Sequence, residues 1–132
     1  MTSKPIYIAS VDYSRLRLLV SSLITNRSRH SESARRLLAE LDRCVMLAVH
    51  EMPPGVVRID SRVEFEDLTS GEVETYTLTW PERADPDQKL LSVLAPIGTA
   101  LIGYSEGDTI EWDTPGGSRR LKIRSVTQPT PA

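Results

Sequence analysis

The run Glu51-Met52-Pro53-Pro54-Gly55 most constrains what this chain can fold into. Consecutive prolines remove backbone donors and force extended backbone, so no helix passes through it. Before it the apolar residues repeat as in a helix; after it they alternate as in strands. The expected class is therefore α+β, with a short antiparallel helical hairpin over residues 1–50 followed by an antiparallel sheet domain over residues 51–132.

In the first part, Leu16, Leu19, Val20, Leu23 and Ile24 form one helical stripe, with Asp12 suited to cap its start. Ile6 and Ile8 around Tyr7 form either an edge strand or a lead-in. Residues 25–33 carry no apolar side chain and read as a connection, after which Leu37, Leu38, Leu41, Cys44, Val45 and Ala48 restore the stripe. Arms of about thirteen residues reach only about 20 Å.

Beyond the break, Val56 to Ile59 reads as a strand, and Arg62 to Leu68 alternates like a half-buried antiparallel strand. Thr69-Ser70-Gly71-Glu72 turns the chain, and Val73 to Trp80 returns until Pro81. Glu82 to Lys89 reads as a charged surface loop. Leu91 to Leu94 forms a strand, Pro96 starts a short helix and Gly103 stops it, because proline suits the first helical position and glycine a left-handed stop. The helix is sharply bounded, and its approach through Ala95, Pro96 and Ile97 is a rigid, partly apolar corner. Glu106-Gly107-Asp108 is a tight turn. Thr109 to Asp113 and Arg119 to Val126 form the last hairpin around Pro115-Gly116-Gly117, and the tail from Gln128 reads as loose.

Composition excludes several classes. No apolar run approaches the roughly 18 residues of a membrane span, and the N-terminus lacks the pattern of a signal peptide, so a cytoplasmic protein without membrane contact is expected. A single cysteine, Cys44, forms no internal disulfide and is expected to be a small buried residue. A net charge of −2 argues against a general nucleic-acid binder, and no sequence-specific nucleic-acid binding is expected, yet residues 1–50 hold eight Lys/Arg against four acids, and the remainder eight against fourteen. His30 and His50 lack metal-ligand spacing, no nucleophile motif is framed, and Pro115-Gly116-Gly117 is too short to cradle phosphate. No metal, cofactor or catalytic residue is expected.

The run Leu90 to Gly103, the Glu106-Gly107-Asp108 turn and the Trp112 to Gly117 hairpin together resemble the C-terminal domain of Gre-type transcript-cleavage factors. Leu41-Asp42-Arg43, Glu51-Met52-Pro53 and Asp60-Ser61-Arg62-Val63 are closer still to the short-hairpin branch of that family, the regulators of nucleoside diphosphate kinase (Rnk). The resemblance spans about residues 5–127. It implies an FKBP-like C-terminal domain curved around the short helix, and binding to RNA polymerase near its secondary channel. It also implies docking through the loop matching Leu94, Ala95, Pro96 and Ile97, where Leu94 stands in place of the family's acidic residue.

Cleavage factors carry two carboxylates at a long coiled-coil tip to help hold a catalytic metal, and hard cations require such oxygen ligands. This tip, Asn26 to Ser33, offers one carboxylate, Glu32, among basic residues. Cleavage chemistry is not expected. Arg27, Arg29, Arg35 and Arg36 are either a basic contact surface at a polymerase opening or a solvated loop. The expectation is a monomeric, non-enzymatic regulator that competes with cleavage factors. Its rivals are an FKBP-like peptidyl-prolyl isomerase, for which seven aromatic side chains are few, and an interaction module with a different cytoplasmic partner.

Overall fold

The computed structural model describes residues 6–25, 31–114 and 117–129, the side chains of residues 112–114 excepted. Strand β1 (Tyr7–Ala9) leads directly into α1 (Ser10–Thr25), which packs antiparallel against α2 (Ser31–Arg43). Leu16 and Val20 of α1 meet Ala34, Leu37 and Leu41 of α2 in one buried seam. The helix starts two residues before Asp12. Asp12 lies in its first turn, 4.0 Å from Arg58, and burial pushes its carboxyl above the ordinary range against the pull of that guanidinium.

The second helix ends earlier than its apolar stripe. Val45–Leu47 forms β2, parallel to β1, with the Val45 N–H donating to the Ile6 carbonyl at 2.8 Å. Periodicity alone does not separate a short apolar strand from one more helical turn; the distant partner strand decides. Cys44 is half-buried.

Strands β3 (Arg62–Asp67), β4 (Val73–Thr79), β5 (Leu90–Ser92), β6 (Thr109–Thr114) and β7 (Gly117–Thr127) form one sheet in the order β5-β4-β3-β7-β6. Every pairing is antiparallel except β4 with β5. A bulge at Glu64/Phe65 breaks the β3–β7 register, and Arg124 there reaches Glu64 and Glu66, each at 3.3 Å. Helix α3 (Pro96–Leu101) lies against the sheet and also touches α2. Phe65, Leu78, Leu121 and Ile123 of the sheet belong to the same continuous core as Leu101 and Ile102 and the hairpin seam.

Further sequence-based expectations change, and the strand expected at Leu91 to Leu94 is β5 at Leu90–Ser92. Val56 to Ile59 makes no ladder: Val56 forms one bridge to Ser105, and Val57 exchanges backbone hydrogen bonds with Gly103 and Tyr104 before Asp60 turns with φ 75°. Strand β4 stops at Thr79, and the loop after it folds into 3-10 turns at Pro81–Arg83 and Pro86–Gln88. The tail is tied at Gln128, whose amide donates to the carbonyls of Pro54 and Val56 at 3.1 and 2.7 Å and accepts from Ser61 at 2.8 Å.

Candidate docking corner

The corner at residues 94–97 is held by backbone hydrogen bonds together with the hydroxyls of Ser92 and Thr99. The Val93 N–H donates to Thr79 across the sheet, the Leu94 N–H to the Ser92 hydroxyl, and the Ala95 N–H to the Ser92 carbonyl. Ala95 is extended (φ −64°, ψ 147°), and Pro96 takes the first helical position, where its missing N–H leaves nothing unpaired. The Thr99 N–H then donates to Ala95 at 2.8 Å, and its buried hydroxyl to the Val93 carbonyl at 2.9 Å. Gly98 lets the helix press on the sheet, since a Cβ there would stand 2.1 Å from the Ser92 carbonyl oxygen. Small residues and proline therefore hold the corner in one shape.

The four side chains differ in what they offer. Leu94 is buried, at 4% exposure, and acts as a core residue. Ala95 and Ile97 are half-buried, and Pro96 is exposed. Ile97, Phe65 and Leu121 form the apolar floor of a depression of about 290 Å³, edged by Asp67, Glu72, Glu74 and Arg119. Arg119 bonds Asp67 at 2.7 Å. Backbone N–H groups of Thr69 and Ser70, together with Arg119, hold the Asp67 carboxyl below the ordinary range. The two glutamates on this edge escape notice in the sequence, because only the β3–β4 turn and the β7 register bring them beside Ile97. Phe65 is the only aromatic ring lining the depression.

Of the four hairpin arginines singled out in the sequence, Arg35 and Arg36 lie within the described residues. Arg27 and Arg29 lie outside those residues. Arg35 is exposed in the second turn of α2, and Arg36 pairs with Glu32 at 3.6 Å one turn before it. The base of the hairpin is fixed instead. Arg15 stacks 4.0 Å from the centre of the Trp80 ring and pairs with Glu82, while Arg43 reaches Tyr104 at 2.9 Å. Burial raises the Tyr104 hydroxyl above its ordinary range, so it stays neutral and accepts from Arg43. Through these contacts and that of α2 with α3, the hairpin direction is tied to the corner.

Among the described residues there is no group of three or more His, Cys, Asp or Glu positioned to hold a metal, and no helix is long and apolar enough to cross a membrane.

Residues 52–128 match the family model for the C-terminal part of the transcription elongation factors GreA/GreB, and residues 4–46 match that for the Rnk N-terminus. The chain is similar to the regulator of nucleoside diphosphate kinase of Escherichia coli (strain K12), 48% identical over 81 residues that cover 61% of this chain and 60% of the relative. It is also similar to transcription elongation factor GreA of Nitratidesulfovibrio vulgaris, 47% identical over 53% of this chain and 44% of that one. These matches span less than two thirds of either relative's length. A solved prokaryotic transcription elongation factor GreA/GreB from Nitrosomonas europaea superimposes with a TM-score of 0.75 at 38% identity, covering 95% of this chain and 99% of that one.

Proposed function

Because the chain belongs to the GreA/GreB family of transcription elongation factors, with an Rnk-type N-terminus, we propose that it is a non-catalytic regulator of transcription that docks on RNA polymerase near the secondary channel. The observation that carries this reading is the rigid corner with exposed Pro96 beside an apolar depression. Pro96 and Ile97 supply the apolar contact. Glu72 and Glu74 on the rim supply the polar contact that buried Leu94 does not.

The hairpin sets what the docked protein does. Its helices have 16 and 13 residues, about 24 and 20 Å long. Arms of that length block an opening without reaching deep into it. The tip sequence holds one carboxylate, Glu32, where metal delivery needs a pair. The mechanism is therefore steric occupancy without transcript cleavage, in competition with cleavage factors. Arg27, Arg29, Arg35 and Arg36 face acidic surface or nucleic acid at the channel mouth. The protein acts in the cytoplasm, as a monomer and without a cofactor. No observation favours a prolyl isomerase.

Binding of the purified protein to core RNA polymerase tests the reading, with Pro96→Ala and Ile97→Asp alongside. At a true interface an apolar anchor is worth about 2 kcal/mol, so affinity falls roughly thirtyfold in folded variants. Addition of a GreA protein displaces the wild type, and stalled complexes show no accelerated cleavage. Failure of the wild type to bind removes polymerase as the partner and directs the search to another cytoplasmic protein.

A further inference from the structure

Strand β4 is open along half of one edge. Its residues Val73 to Thr77 all pair with β3, whereas β5 covers only Thr77 to Thr79. The loop before β5 explains the difference. The Asp85 carboxylate accepts from the Asp87 N–H at 3.1 Å and closes a 3-10 turn, and Lys89 then turns the chain with a left-handed φ of 59°. The chain joins the sheet only at Leu90. Beside residues 73–77 this leaves a notch of about 580 Å³, with Gln88 and Lys89 at one end.

The backbone of β4 points into this notch. The Thr77 N–H donates to the Lys89 carbonyl at 2.9 Å, and the next residue, Leu78, donates the opposite way to Ser61 at 3.0 Å. Directions alternate along a strand, so Thr75 and Val73 turn their N–H and C=O groups toward the notch. Among the described residues no strand covers them.

Two cations stand at the Lys89 end on opposite faces. Arg62 lies across from Thr77 on one face; the Lys89 ammonium lies 5.0 Å from the Tyr76 ring centre, and Tyr76 pairs with Val63 on the other. Among the described residues neither has a carboxylate partner, while Arg119 and Arg124 in the same sheet do. At the far end, Val73 is 47% exposed.

We propose that this notch receives an extended segment of a partner protein, which adds to β4 as a further strand and carries two consecutive acidic residues at the Lys89 end. Successive side chains of a strand point to opposite faces, so adjacent carboxylates reach Arg62 and Lys89 separately. Val73 and Thr75 supply the backbone hydrogen bonds, and the charges supply selectivity. Four residues of open edge give a contact about 13 Å long. Pro96 and Ile97 do not line the notch, whereas Glu74 borders both the notch and the depression beside Ile97, so variants that leave Glu74 and the corner unchanged separate this surface from the polymerase reading.

The probe is a pool of hexapeptides with Asp or Glu at two adjacent terminal positions and Val, Ile or Thr at the other four, beside a matched pool with Lys for the acids. The full chain retains the acidic pool and not the lysine pool, and exchange of the Val73 and Thr75 amides slows on binding. Thr75→Pro removes one N–H from the open edge without touching the β3 ladder, and Lys89→Glu reverses one charge on an exposed residue; each weakens binding about tenfold or more with unchanged melting temperature. Equal retention of both pools, no retention of the acidic pool at about 1 mM, or binding indifferent to Thr75→Pro overturns the proposal.

Discussion

The guanidinium of Arg43, in the last turn of α2, donates to the Tyr104 hydroxyl at 2.9 Å and so joins the end of the hairpin to the segment just after α3. Tyr104 is 4% exposed, and its N–H and C=O are engaged by Leu101 and Val57. The contact is a bond between the two parts of the chain rather than a surface pairing.

Tyr104→Phe removes that bond while keeping the ring. Arg43 retains Glu40 at 2.9 Å, so its charge is not stranded. The expected loss is about 1 kcal/mol of stability. Urea unfolding measures it, and exchange of the Val45 and Tyr7 amides rises if the hairpin base loosens. An unchanged midpoint would show that the hydroxyl contributes nothing to the junction.

Gln128 performs a similar function at the other end of the chain. Its side chain ties the β7 terminus to Pro54, Val56 and the fully buried Ser61, across the break between the helical and sheet parts. Gln128→Ala leaves these groups short of partners and costs about 1–3 kcal/mol. Gln128→Glu is worse than alanine, because a carboxylate faces two carbonyls with no proton to donate. Thermal melts of the three proteins give the order, and a glutamate variant as stable as wild type would contradict it.

What was legible in the sequence follows the range of the interactions involved. Pro96, Gly103 and the Thr69 to Glu72 turn act on their own backbone, and each stands where local chemistry placed it, although β3 stops at Asp67, one residue before the expected strand end. The end of α2 was not legible, since Cys44 to Leu47 satisfy a helical stripe and a strand equally until Ile6 and Ile8 arrive beside them. Val56 to Ile59 has strand composition, yet its neighbour is the irregular segment at residues 103–106 and not a second strand. The same distinction holds at the candidate site. Proline marked the corner, whereas Glu72 and Glu74 join it only through the strand register, which no single segment encodes.

Gly98 and Gly71 separate two reasons for a glycine. At Gly98 an added Cβ meets the Ser92 carbonyl at 2.1 Å and Leu78 at 3.2 Å, so Gly98→Ala must shift α3 off β5. The expected cost is about 3 kcal/mol, at the upper end for overpacking. Gly71 has φ +80° and nothing within 4 Å. Gly71→Ala therefore meets only backbone strain, about 1 kcal/mol. Equal denaturation midpoints for the two variants would refute the close approach at Gly98.

Asp67 gives the fold a pH dependence of known sign. Its carboxylate accepts from the Thr69 and Ser70 N–H groups and from Arg119, which holds its folded pKa below the unfolded value. A depressed carboxyl contributes stability that is present above the unfolded pKa, about 4, and is lost as pH falls through the folded value. Asp67→Asn therefore lowers the melting temperature at pH 7, and the gap to wild type closes as pH falls below about 4. Arg119 sits on the edge of the depression beside Ile97, so releasing it also leaves Glu72 and Glu74 with a nearby cation no longer held by Asp67. If these glutamates supply the polar half of the docking contact, Asp67→Asn weakens polymerase binding at pH 7 in a protein that is still folded. A gap in melting temperature that stays constant from pH 7 to about pH 3 would assign the role of Asp67 to shape rather than charge.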